Sequence, residues 1–433
     1  MQQTENPRQL ALRSLMACEK EGKYSNLEVN ASLVSSGIGG ADGALYTRLV
    51  YGVLERKITL DYIIDGISSR PVEKLDSDVL NGLRIGLYQL LYMDRVPEFA
   101  AVSETVDILP KSKRGIVNAV LRTFLRGGKT VTLPAKDNLP YYFSVKYSFP
   151  PELCRLYIDC YGAECAEGIL DASNREPDIA LRVNTLRHGS ANYAEYVGGR
   201  QSAIAPDVVL ADGFSDRVRD GMERGDFFVQ DEASRICTAV LGAKPGETVI
   251  DTCACPGGKT FSLALDMENS GILYAFDLHK NKLSLIEKGA EKLGLTMIRT
   301  GENDARNPVP ELVGTADRVL CDAPCSGLGV IAKKPDIRYK SLDSVGRLPE
   351  IQYGVLCGAS KYVRPGGVLV YSTCTLNKAE NENIAEKFLS ENGDFLPEAD
   401  PVYGLSENGM RTFFPHTDGC DGFFIAKMRR IGS

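Results

Sequence analysis

From about residue 230 onward the chain alternates short apolar runs with amphipathic segments, and no other feature limits its fold as strongly. ETVIDTCA, GILYAFDLH, MIRTGEND, DRVLCDAP and GGVLVYSTC read as strands, each followed by helical or loop sequence. TFSLALDME starts one helix, KNKLSLIEKGAEKLG forms another, and GFFIAKMRR closes the chain as a last strand. Strands alternating with helices predict a parallel sheet covered on both faces. In such sheets ligands collect beyond the carboxyl ends of the strands. The chemistry is therefore to be sought in the segments that follow each apolar run.

The rest of the chain follows other rules. Residues 1–140 read as an all-α domain: NPRQLALRSLMACEKEG, YTRLVYGVLERKITLDYIIDGIS and DSDVLNGLRIGLYQLLYM carry apolar residues near helical spacing. GIVNAVLRTFLRG continues the pattern with Ile116, Val120 and Phe124. Beside it lie Lys111, Lys113, Arg114, Arg122, Arg126 and Lys129, with no acidic residue among them. Such a cluster fits a solvated helix face or a phosphate-binding one. Residues 141–229 are mixed. Pro134, Pro140, Pro150 and Pro151 mark an edge, PELCRLYIDCYGAECAEGILDASN reads as helices and IALRVNT as a strand, together a small α+β connecting module. Residues 230–433 form the α/β domain.

Composition removes several classes of function. No apolar run approaches the roughly 18–20 residues of a membrane helix, and MQQTENPRQLALRS lacks the basic-then-apolar pattern of a signal peptide. A cytoplasmic protein without membrane contact is expected. Twelve cysteines in 433 residues are too sparse for a disulfide framework, which argues for reduced thiols. The three histidines, His188, His279 and His416, are far apart, which disfavours a His-based metal site or a Ser-His-Asp site. The formal charge of −7 does not decide for or against nucleic acid, because a local basic face suffices. Oligomeric state is left open.

Asp251-Thr252-Cys253-Ala254-Cys255-Pro256-Gly257-Gly258-Lys259-Thr260 lies between a strand and a helix. Its glycine pair lets a ligand approach the backbone, and the helix start offers free N–H groups to an anion. A dinucleotide fingerprint is absent. A phosphate-binding P-loop fails because Cys253 stands where its first glycine belongs. A methyl-donor pocket and a plain tight turn remain. Asp277, 19 residues after Gly258, ends the next strand and suits the ribose hydroxyls of a nucleoside. Asp304 follows the third strand and suits an adenine amino group.

Two cysteines then follow successive strands, Cys325 in Asp322-Ala323-Pro324-Cys325-Ser326-Gly327 and Cys374 in Ser372-Thr373-Cys374-Thr375. Burial as a small hydrophobe suits Cys321 and Cys357. It suits Cys325 and Cys374 less, because their loops are polar. A thiol needs no metal to be a strong nucleophile. A zinc site built from Cys253, Cys255, Cys325 and Cys374 has poor spacing, and no metal is expected.

On these segments the chain resembles the bacterial ribosomal RNA cytosine-5 methyltransferases of the Sun/Fmu type. DTCACPGGKT is similar to their cofactor loop, DAPCSGLGV to their Pro-Cys motif and YSTCTL to their Thr-Cys motif. RLVYGVLERK, LRIGLYQLLYMDRVP and GIVNAVLRTFLR resemble the RNA-binding antitermination factor NusB, and YSFPPELCRLYIDCYG and LRVNTL match the connecting region. The resemblance implies a NusB-like helical domain, a small α+β module and a Rossmann-like class I methyltransferase domain. It implies S-adenosylmethionine as cofactor, held by Cys253, Ala254, Cys255, Pro256, Gly257, Gly258, Lys259, Asp277, Asp304 and Asp322. It implies Cys374 as the nucleophile toward cytosine C6, Asp322 as the contact to the base near N3, and Cys325 as the group that removes the C5 proton and frees the enzyme. The implied partner is RNA, foremost 16S ribosomal RNA, unassembled or in a precursor particle. Another RNA such as tRNA, and a non-enzymatic RNA-binding or antitermination factor, are the alternatives. Cys255 departs from the family, which commonly has Ala there.

Overall fold

The computed structural model describes residues 5–21 and 25–432. It divides into two compact units, one of residues 1–174 with 334–340, the other of residues 175–333 with 341–433. The span 141–229 contributes to both: residues up to 174 cluster with the first unit and residues 175–229 with the second.

The described part of the first unit is helical: α1 Pro7–Glu21, α2 Ser25–Ser36, α3 Gly40–Ile67, α4 Ser77–Tyr92, α5 Glu98–Asp107, α6 Lys111–Arg126, α7 Leu139–Tyr147, α8 Pro151–Tyr161 and α9 Ala163–Ala172. In α6 the buried seam is Val117, Val120, Leu121 and Phe124. This is the i, i+3, i+4, i+7 stripe of a 3.6-residue period. A strict four-residue repeat drifts around the helix, so Ile116 lies at the margin of the seam rather than in it. Residues 334–340 pack into this unit through Arg338, which is 1% exposed. Its guanidinium donates to Glu55 O at 2.7 Å and Asn174 Oδ1 at 3.1 Å, and lies over the Phe149 ring at 4.3 Å.

The second unit opens with β1 Ile179–Val183, α10 Ser190–Val197, β2 Arg200–Gln201, β3 Val208–Ala211, α11 Asp216–Arg224 and β4 Phe227–Val229. These strands form an antiparallel sheet in the order β2-β3-β1-β4. The α/β part follows: α12 Glu232–Leu241, β5 Thr248–Asp251, α13 Gly258–Asp266, β6 Ile272–Asp277, α14 Lys280–Leu293, β7 Ile298–Glu302, β8 Ala316–Asp322, α15 Leu342–Val345, α16 Leu348–Ser360, β9 Val363–Thr373, α17 Glu382–Glu391, β10 Phe395–Pro397, β11 Met410–Phe413 and β12 Phe423–Arg430. Local rules set the ends of α12. The Asp231 side chain accepts from Ala233 N, and Gly242 closes the helix in the left-handed region.

The eight-stranded sheet runs β10-β12-β9-β8-β5-β6-β7, with β11 on β12. β7, β6, β5, β8 and β9 are parallel, and β12 returns antiparallel to β9. Apolar cores lie on both faces, so the central strands are continuously apolar rather than alternating. The chain leaves β5 toward β6 on one side and returns to β8 on the other. That switch opens a crevice at the carboxyl ends of β5, β6 and β8.

Candidate active site

The sheet brings the predicted groups to one edge. In register, Asp251 at the end of β5 lies between β6 and β8, Asp277 ends β6, and Asp322 ends β8 opposite Ser372 of β9. Cys374 follows the last residue of β9, and Cys325 lies three residues beyond β8.

The two thiols meet. Cys325 Sγ and Cys374 Sγ are 3.1 Å apart, both are free, and both are partly exposed. The contact separates their acidities. The Cys325 thiol hydrogen-bonded to Cys374 lowers the Cys374 pKa against the opposing effect of burial. The same bond, with burial, raises Cys325 well above the ordinary thiol value. Of the two, Cys374 is the sulfur whose charged form the contact favours, and the thiolate is the reactive form. Cys321 is wholly buried and inert by comparison.

Asp322 is fixed from two sides: Lys259 Nζ donates to Oδ2 at 2.7 Å and Ser372 Oγ to Oδ1 at 2.8 Å. Burial opposes the Lys259 charge, but Asp322 outweighs it and holds the ammonium above its usual range. Lys259 therefore reaches the Asp322–cysteine side of the crevice, although its sequence motif assigned it to the cofactor loop. That loop folds over β6: Ala254 N donates to Phe276 O at 2.8 Å and Cys255 N to Asp277 Oδ2 at 3.2 Å. Burial, with Asp277 next to it, pushes the Cys255 thiol up to about 12, so it is no competing thiolate. Asp304 is engaged locally, its carboxylate bound by the Arg306 guanidinium at 2.6 Å. An adenine contact at Asp304 would have to share the carboxylate with Arg306.

Asp251 is 1% exposed and accepts from Thr260 Oγ1 at 2.7 Å. Burial raises its pKa to about 7. A carboxyl raised on folding gives stability that is full below its unfolded pKa and is lost as pH rises through the folded one. Between pH 6 and pH 8 this group alone should remove about 1 kcal/mol of stability. The Asp251→Asn variant should lose that part of the pH dependence. Chemical denaturation at both pH values checks this, and an unchanged slope in the variant rules out Asp251 as its source.

The residues also suit a nucleoside donor with an anionic end. Gly257, at φ 115°, turns the chain into α13, and no side chain caps that helix start. Its first N–H groups remain available to an anion. A Cβ at Gly257 would come 2.5 Å from the Phe261 ring, so only glycine fits the turn.

Residues 238–429 match the family described as 16S rRNA methyltransferase RsmB/F, and residues 5–126 match the NusB family. The probable ribosomal RNA small subunit methyltransferase B of Bacillus subtilis (strain 168) is 36% identical, the alignment covering 98% of this chain and 99% of that one. The chain belongs to the RsmB/F methyltransferase family. A similarly named protein of Synechocystis is 34% identical over 98% of this chain and 99% of its own. Among solved structures, PH0851 superposes with a TM-score of 0.77 at 26% identity, over 98% of this chain and 99% of that one. As an RsmB/F-family enzyme the protein is a methyltransferase that uses S-adenosylmethionine and acts on RNA. No helix among the described residues is long and apolar enough to cross a membrane, and those residues hold no metal-binding cluster.

Motif reading misses two groups at this RsmB/F site. Lys333, at 2.5 Å from Asp231 and 2.8 Å from Asp421, ties the loop after Cys325 to the turn before β12. Glu380, wholly buried, accepts from Ser326 beside Cys325, from Asn377 three residues after Cys374 and from Gln352 of α16. Neither carries a local signature: a Lys between two acids, or a Glu in NKAENEN, reads as solvated charge until distant segments are brought together.

Proposed function

We propose that the enzyme methylates C5 of a cytosine in 16S ribosomal RNA, with Cys374 as the nucleophile. The observation that carries this is the Cys325–Cys374 contact, in which one thiol lowers the pKa of the other at the edge of the cofactor crevice. Cytosine C5 is a weak nucleophile. Addition of the Cys374 thiolate to C6 makes C5 enamine-like and divides a hard step into easier ones. Asp322, held by Lys259 and Ser372, is assigned to the base near N3, where a proton stabilises the charge that develops on attack. S-adenosylmethionine supplies an electrophilic methyl group when bound in the crevice. Cys325 first gives up its own proton, to the base as it is attacked or to solvent; as thiolate it then takes the C5 proton, and elimination breaks the Cys374–C6 bond and returns Cys374 as thiolate. The target base must leave its stack to reach the sulfurs, which favours a loop or single-stranded segment. The names of the B. subtilis and Synechocystis relatives support ribosomal RNA of the small subunit as the target. Bisulfite mapping of cellular RNA with and without the gene tests it. One 16S cytosine should lose its methyl mark, and loss at a tRNA position instead would overturn the substrate.

Docking on the helical unit is expected to use only part of the basic cluster. Lys113 is paired with Asp76 at 2.8 Å and Asp78 at 2.7 Å, Arg114 with Asp107 at 2.9 Å, and Lys129 with Glu98 at 2.8 Å. Lys111, Arg122 and Arg126 are exposed and make no ion pair among the described residues. Neutralising these three should flatten the salt dependence of RNA binding by about 0.7–0.9 log unit per lost phosphate contact. Neutralising Lys113, Arg114 and Lys129 should change it much less. Equal slopes for both triple variants would mean that α6 does not touch the phosphates.

A further inference from the structure

The mechanism uses two sulfurs in contact, yet they belong to loops 49 positions apart in the chain. One buried carboxylate joins those loops. Glu380 Oε2 accepts from Ser326 N at 2.9 Å and from Gln352 Nε2 at 2.9 Å, and Oε1 from Ser326 Oγ at 2.7 Å and Asn377 Nδ2 at 3.0 Å. Ser326 follows Cys325. Its hydroxyl also lies 2.6 Å from Thr375 Oγ1, and Thr375 follows Cys374. Gln352 also donates to Pro324 O at 2.9 Å, on the other side of Cys325. The next residue, Asn381, closes the second bracket. Its Oδ1 accepts from Thr373 Oγ1 at 2.5 Å and its Nδ2 donates to Thr375 O at 2.9 Å, one contact on each side of Cys374. Glu380 and Asn381 are 0% exposed.

All four groups that donate to Glu380 are neutral. Glu380 is among the groups that act against a charge on Cys325, after Cys374, burial and Asp322. A buried negative charge disfavours a second one beside it. Asp322 and Glu380 act against a charge on Cys325; around Cys374, Asp322 and Asp421 act against one and Lys259 acts for it. The hydrogen bond between the sulfurs, with Glu380 acting against charge on Cys325, favours Cys325 as the thiol and Cys374 as the thiolate.

We propose that Glu380 is a positioning residue that clamps the two cysteine loops together and fixes which sulfur carries the proton. It touches neither substrate nor cofactor and acts through Ser326 and Thr375. This inference rests on the assignment of Cys374 as nucleophile.

The test reads the sulfurs directly. Full-length enzyme is labelled with limiting iodoacetamide, which reacts with thiolates, and the Cys374 and Cys325 peptides are quantified by mass spectrometry across pH. Wild-type label should fall mainly on Cys374. In Glu380→Gln the ratio of Cys374 to Cys325 label should drop about tenfold, because a nearby full charge is gone. Glu380→Asp, which keeps the charge, should recover most of it, and S-adenosylmethionine affinity by calorimetry should stay within about threefold. If Glu380→Gln does not fold, Ser326→Ala removes the hydroxyl that reaches Thr375 and should lower the ratio in the same direction by a smaller factor. A wild-type ratio in folded Glu380→Gln, or in Ser326→Ala where the former is unfolded, overturns the clamp. Wild-type label falling mainly on Cys325 would instead overturn the role assignment on which the clamp is built.

Discussion

Cys374→Ala is expected to lose methyl transfer altogether, and with it any covalent RNA complex, whereas Cys325→Ala should attack RNA, transfer the methyl group and then stall. The chemistry needs one carbon–sulfur bond, and the structure supplies two sulfurs 3.1 Å apart with opposite shifts in acidity. Removing the lowered-pKa sulfur removes the nucleophile, and no other thiolate replaces it. Cys321 is buried, and Cys253 and Cys255 are both raised by burial and by nearby carboxylates. Removing Cys325 leaves Cys374 to attack, more slowly because the hydrogen bond that lowers its pKa is gone, but takes away the acceptor for the C5 proton. The Cys374–C6 bond then persists, and enzyme and RNA should migrate together on a denaturing gel. The loss in turnover for Cys374→Ala should exceed about 10⁴-fold, of the order seen when a nucleophile is deleted from a covalent mechanism. A trapped complex with Cys374→Ala and none with Cys325→Ala would reverse the two roles.

How much of this was legible beforehand follows from the range of the interactions. The strands from β5 to β9 are read from composition, because a parallel strand covered on both faces must be apolar throughout. The placement of Asp277, Asp322, Cys325 and Cys374 on one edge follows from that alone, since each ends or follows such a strand. β10 and β11 carry no such signal. They are three and four residues long, and their pairing with β12 is a contact between separate segments. Lys259 was legible as part of a glycine-rich loop but not as the partner of Asp322, which is 63 positions away. Arg338 is the extreme case. It lies in a short stretch with no apolar periodicity, and its partners, Glu55, Ser148 and Asn174, are 164 to 283 positions distant. Local propensity carries no information about such contacts, whereas the hydrophobic period carries much. The α6 basic cluster shows the converse limit. Its charges were plain in the sequence, but Asp76, Asp78, Asp107 and Glu98 neutralise half of them from neighbouring helices and turns.

The second large effect is expected from a residue with no functional group. Gly329 N donates to Cys374 O at 3.0 Å, and Gly422 N donates to Gly329 O at 2.9 Å, so the loop after Cys325 is laced between the Cys374 backbone and the turn before β12. A Cβ on Gly329 would stand 1.8 Å from Gly422 O, a backbone atom that cannot rotate away. Gly422 has no room to retreat: its own Cβ position is 2.7 Å from Leu376 Cδ1. Gly329→Ala must therefore push the Cys325 loop from the Cys374 backbone, and the Lys333 link to Asp231 and Asp421 strains with it. Overpacking of this kind costs about 1–3 kcal/mol of stability. The effect on chemistry should be larger, because a displacement of roughly 1 Å at reacting groups costs on the order of 10²-fold in rate. The cofactor loop around Gly257 lies at the end of β5 and takes no part in this lacing, so S-adenosylmethionine affinity should hold within about threefold. Single-turnover methylation with saturating cofactor measures the loss. A Gly329→Ala enzyme that folds and transfers methyl groups at the wild-type rate would show that the spacing between these loops is not what sets the reaction.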